Sequence, residues 1–169
     1  MLFTSYRFGW NRTQIGFSLA MVGVMFVVGQ GGLVRVVVPL LGERRAILMG
    51  LGVSVIGLVL YGVVPTGWMI YPVMVLGLFG WTVAQPAVMG LMSRAVPANE
   101  QGLLQGAVAS ATSLTSVLAP PVWTGIFAYF VSPAAPMIVP GAAFFAAAAV
   151  FAATLGLTIR SRDHRPVPT

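Results

Sequence analysis

The chain is predicted to be an all-α membrane protein with five transmembrane helices plus the end of a sixth, and three observations lead there. Of its 169 residues 58% are hydrophobic and only 7% charged, with a mean hydropathy of +0.94, whereas soluble domains keep roughly a quarter of their residues charged. A chain of this size cannot hide such an excess in one core and still present a polar surface, so lipid is its solvent. Second, the charged residues divide the sequence into apolar blocks of about 20 residues, the length a helix needs to cross a ~30 Å hydrocarbon core. Third, the nine basic residues are all arginine and fall unevenly between alternate loops.

Met1 to Trp10 is too short to span, and its aromatic residues Phe3, Tyr6, Phe8 and Trp10 suit a membrane interface. It reads as the last turns of a preceding helix, which makes the chain look truncated at its front. The first span is expected over residues 14–34, between Arg12 and Arg35, with Gln30 as its one strongly polar interior residue. The second, 46–64, is closed by Pro65 and Gly67, both strong breakers. The third covers 68–92 and the fourth 101–129. A Ser-Pro-Ala-Ala-Pro turn at 132–136 separates the fourth from the fifth, 138–159. Residues 1–159 thus form one helical bundle, and 160–169 is a polar tail expected to be disordered.

Arginines close to a span stay on the cytoplasmic side. One set of loops holds Arg35, Arg44, Arg45, Arg94, Arg160, Arg162 and Arg165, the other only Arg7 and Arg12. The C-terminus is therefore expected in the cytoplasm and the turns at 64–67 and 132–136 outside.

The residues also exclude much. Arginines scattered in ones and twos form no nucleic-acid patch despite the net charge of +6. Without cysteine there are no disulfides, thiolate metal sites or Cys nucleophiles. Glu43, Glu100 and Asp163 all fall in the inner segments and His164 in the tail. No carboxylate pair, Ser-His-Asp set or metal cluster can be assembled, so neither catalysis nor a cofactor is expected. A proton relay needs a titratable group within the membrane, and the spans supply none.

Spacing by four places Gly77, Trp81, Gln85 and Met89 on one face of the third span, with Pro86 beside Gln85. Two readings stand there. As a cavity wall, Trp81 can stack on a planar or cationic drug and Gln85 can orient its polar groups; as a packing face, the same residues meet neighbouring helices. Gln30, on a face with Gly23 and Phe26, is a further candidate for cavity lining. Gly102, Gly106 and Ser110 make a small-xxx-small series in the fourth span, ahead of Thr112, Ser113, Thr115, Ser116 and the pair Pro120-Pro121. Such series let helix backbones approach, and the hydroxyls can satisfy carbonyls that the prolines free. Gly50 and Ser54, with Gly57 and Tyr61, form a comparable packing face in the second span.

Three stretches carry a family resemblance: Phe3-Thr4-Ser5-Tyr6-Arg7-Phe8-Gly9-Trp10 followed by Ile15-Gly16-Phe17-Ser18-Leu19-Ala20; Leu41-Gly42-Glu43-Arg44-Arg45-Ala46; and Met92-Ser93 followed by Glu100-Gln101-Gly102-Leu103-Leu104-Gln105-Gly106. From Met1 to about Arg160 the chain resembles the C-terminal half, helices seven to twelve, of a major facilitator superfamily drug/proton antiporter of the tetracycline-efflux kind. The resemblance implies a half-bundle in a bacterial-type inner (plasma) membrane. It also implies partnership with a missing N-terminal half or a second copy, and export of a drug-like small molecule against proton entry, inactive in this chain alone. Gly42, Glu43, Arg44 and Arg45 match the family's cytoplasmic loop between helices eight and nine, for which it implies gating. Tetracycline pumps carry an acidic residue in the ninth helix where this chain has Ser54. The rival readings are a non-transporting membrane scaffold and a self-associating five-span protein.

Overall fold

The computed structural model describes residues 2–133 and 135–160, and among them every regular element is helical. The chain belongs in a bilayer: five of its helices are long and apolar enough to cross one. The short helix α1 (Leu2–Phe8) ends at Gly9, whose φ of +63° lies in the left-handed region that glycine favours. Asn11 then caps α2 (Arg12–Val28): its side chain accepts from the Gln14 backbone N–H at 2.9 Å, and the Gln14 side chain accepts from the Asn11 N–H at 3.0 Å.

The helix does not stop at Arg35. It passes through a π turn, Gly29–Leu33, into α3 (Val34–Leu41), giving one continuous helix of 30 residues, Arg12–Leu41. Pro39 sits inside α3 without ending it, and the stop comes at Gly42, φ +77°. A span is set by apolar length, a helix by where its backbone turns, and after Gly9 the next residue with a positive φ is Gly42. That glycine leads directly into α4 (Glu43–Val63).

After Pro65 a 3₁₀ turn, Gly67–Met69, opens α5 (Ile70–Arg94), and another, Ala98–Glu100, opens α6 (Gln101–Val131). Helix α7 (Ala142–Arg160) starts four residues beyond the expected edge of its span at 138, because Pro140 and Gly141 interrupt the backbone there. Beyond Arg160, the expected tail, with Arg162, Asp163, His164 and Arg165, lies outside the described residues.

Helix α4 is the centre of the bundle, packed along α5 on one side and α7 on the other. Near the arginine-rich end, Ala46, Ile47 and Leu51 of α4 bury against Val83, Ala84 and Ala87 of α5, with Phe151 and Leu155 of α7 covering them. At the opposite end Phe3, Trp10, Val64 and Ile70 form an aromatic-rimmed cluster with Phe8, Tyr61, Tyr71, Phe127 and Phe144. Helix α6 touches mainly α7 and buries no residue.

Candidate functional site

Glycine-to-glycine contact between α4 and α5 shapes the middle of the bundle. A Cβ at Gly50 would stand 2.6 Å from the Gly80 carbonyl oxygen, and one at Gly57 2.6 Å from the Gly77 Cα. Ser54, buried between these two contacts, donates its hydroxyl toward the Gly77 carbonyl at 3.5 Å. Gly50 and Ser54 therefore hold helices together.

Where α4 and α5 separate again, a cleft of about 360 Å³ opens between them and α7, with Val22 of α2 at its side. Tyr61, Trp81, Phe144 and Phe151 supply aromatic walls, and Gly57 and Gly77 the floor. The Tyr61 and Phe144 rings lie 4.4 Å apart, and Trp81 lies 5.7 Å from Phe151. No charged side chain lines the cleft, so it suits apolar, ring-bearing matter whose charge stays outside it.

The candidate face on α5 is divided by this geometry. Trp81 lines the cleft, 41% exposed, whereas Gln85 and Met89 do not reach it. Gln85 is exposed and Met89 half-buried. Gln30 stands on the other side of α5, in the π turn, where Gly29 packs on Thr82 so closely that a Cβ would meet the Thr82 Oγ1 at 2.6 Å.

Gly102 and Gly106 have no neighbour within 4 Å of where a Cβ would stand, and Ser110 is exposed. Among the described residues no helix packs against that series. Nor do the α6 hydroxyls serve the carbonyls freed by the prolines. Thr112 donates to Val108, Thr115 to Ala111, Ser116 to Ser113 and Thr124 to Pro120, all within 2.7–2.8 Å. Pro120 and Pro121 instead leave the carbonyls four residues back, those of Ser116 and Val117, without their helical donors. The reason is reach: a Ser or Thr on a helix bonds the carbonyl three or four residues before it, and those two carbonyls would call for a hydroxyl at 119–121.

At the arginine-rich end the Gly42 hairpin brings Glu43 onto α5. Its carboxylate pairs with Arg94 at 2.9 Å and lies over Gly90, where a Cβ would stand 2.8 Å from the carboxylate oxygen. Arg44 is half-buried and Arg45 exposed. Residue by residue, the pairing of Glu43 with Arg94 was not foreseen, although opposite charges in two loops of the arginine-rich end are a visible signal. Phe144 and Phe151, seven residues apart and so on one face of α7, could have been found the same way.

The Major Facilitator Superfamily model matches residues 1–169. The chain belongs to that superfamily. It is 37% identical over 128 residues to the class C tetracycline resistance protein of Escherichia coli, covering 76% of this chain and 32% of that one. Against the class H protein of Pasteurella multocida the identity is 34% over 132 residues, covering 78% and 33%. Against the class B protein of Escherichia coli it is 35% over 136 residues, covering 74% and 34%. The chain thus spans about a third of the length of the curated relatives it matches. No solved structure matches it. For this superfamily member the apolar helices, the aromatic cleft and the charged hairpin are parts of one integral membrane bundle.

Proposed function

We propose that the chain forms the C-terminal part of a secondary active efflux transporter that exports tetracycline-type, drug-like small molecules against proton entry, and that it is inactive without an N-terminal partner half. The observation that carries this reading is the 34–37% identity to proteins named for tetracycline resistance. In superfamily transporters substrate sits near the bilayer midplane where two halves meet, and access alternates by rocking. The aromatic cleft fits the planar, apolar body of a drug by ring stacking. With Glu43 engaged by Arg94 and Glu100 at the start of α6, no acid stands mid-span, so the proton-carrying group belongs to the partner half.

The placement that accompanies this reading puts the arginine-rich end, with Glu43, Arg44, Arg45 and Arg94, in the cytoplasm of a bacterial-type inner membrane. There the hairpin gates the inner side. The test is drug accumulation in cells that make this chain alone, the N-terminal half of a tetracycline resistance relative alone, or both. Reduced accumulation only with both supports the reading; efflux by the lone chain in a monomeric state overturns it.

A further inference from the structure

The π turn changes which residues share a face of the first long helix. Val34 donates to the Gly29 carbonyl, five residues back, so across this turn a separation of five plays the part that four plays in an α-helix. Gln30 and Arg35 are thereby brought to one face. Both are exposed, and neither has a hydrogen-bond or ion-pair partner among the described residues. Glu43, one helix along, is already paired with Arg94.

Depth matters here. At about 1.5 Å per residue, Arg35 lies roughly 9 Å from the Leu41 end of the helix and Gln30 about 7 Å deeper. A guanidinium at such a position is costly unless it faces water or an anion. Beyond Gln30 the same face continues with Gly23 and Phe26, flanked by Val27, and a side chain at Gly23 would meet nothing within 4 Å. The face therefore combines donors at one end with a shallow apolar strip at the other. A lipid phosphate would engage Arg35 alone, because Gln30 sits more than a turn inside; contact with both requires an anion that enters further.

We propose that Gln30 and Arg35 form a binding site for an amphiphilic organic anion. The guanidinium and the side-chain amide donate to a carboxylate or sulfonate, and the apolar body lies over Gly23, Phe26 and Val27. As a cargo site this rests on the export reading; as a binding site it does not. Gly29 is the device that makes it, since only glycine lets the π turn sit against Thr82.

The test uses the 169-residue chain in phosphatidylcholine nanodiscs, with naphthalene-2-carboxylate measured by equilibrium dialysis against empty discs and its methyl ester as the uncharged control. Saturable binding of the carboxylate, and not of the ester, is expected. Arg35→Gln and Gln30→Leu should each weaken it about tenfold or more, the loss of one donor to the anion. Deleting Gly31 removes the extra residue but leaves the two side chains four apart, on one face of a plain α-helix, and should leave binding within about twofold while far-UV circular dichroism stays helical. Equal binding by wild type, Arg35→Gln and Gln30→Leu overturns the proposal. So does a response to Arg35→Gln alone that phosphatidylglycerol abolishes, which identifies a lipid-headgroup anchor. No transport is read, so failure of the export reading leaves this result interpretable.

Discussion

Replacing Gly57 by alanine tests the α4–α5 contact most directly. The new Cβ would stand 2.6 Å from the Gly77 Cα and 2.9 Å from its nitrogen, and neither backbone atom can rotate away. Carbon pairs settle at about 3.5–4.0 Å, so the two helices must part by roughly 1 Å at this point, and such a gap forfeits about a quarter to a half of each dispersion contact it opens. Overpacking of this kind costs about 1–3 kcal/mol. Part is masked, because alanine is better than glycine within a helix by about 0.5–1 kcal/mol. Gly52 on the same helix has nothing within 4 Å of its Cβ position, so Gly52→Ala carries the propensity gain alone. Unfolding in mixed micelles by added dodecyl sulfate, followed by helicity, should therefore place Gly57→Ala about 1–3 kcal/mol below Gly52→Ala. Equal stability of the two would refute a backbone contact between Gly57 and Gly77.

Other outcomes follow from single contacts. Arg7 donates to the Gly62 carbonyl at 3.0 Å and lies over the Phe3 and Phe8 rings at 5.6 Å each; Arg7→Ala should lower stability by about 1–3 kcal/mol in the same assay. Glu43 and Arg94, whose side chains are 14% and 78% exposed, should show a coupling of only about 0.2–1 kcal/mol in a double-mutant cycle with Glu43→Gln and Arg94→Gln, shrinking with added salt. If the aromatic cleft carries drug, Trp81→Ala and Phe151→Ala should raise drug accumulation in cells holding both halves while Gln85→Leu does so less; the reverse order would move the site to the Gln85 side. A reporter enzyme fused after Thr169 should be active only as a cytoplasmic form.

How far the sequence could be read differs by interaction. Apolar length and arginine placement located five helices because crossing lipid is a demand every span must meet by itself. Helix ends were less legible: Arg35 looks like a boundary on charge alone, yet the backbone runs on until Gly42. Contacts between helices were least legible. The four-residue spacing put Trp81, Gln85 and Met89 together, but their partners depend on how α5 is rotated, and that is fixed by Gly77 and Gly80 meeting Gly57 and Gly50 on α4. The π turn cannot be seen from periodicity at all. Its signal is the run Gly29-Gln30-Gly31-Gly32, and its setting is the close packing of Gly29 on the Thr82 side chain of another helix.

The contrast between α4 and α6 shows what small residues decide in lipid. Between membrane helices there is no hydrophobic drive, since lipid tails are as apolar as the side chains they would replace; Leu103 and Val117 of α6, 74% and 71% exposed, cost nothing by facing them. Association then rests on how closely backbones approach, and a glycine on one helix helps only where its neighbour is also thin. Gly50, Ser54 and Gly57 find Gly80 and Gly77 in register, so α4 and α5 lock. Gly102 and Gly106 have the same spacing but no matching surface among the described residues, and α6 stays loosely held. The same four-residue pattern is thus a core in one helix and an open face in the next, and register with a second small surface is what separates them.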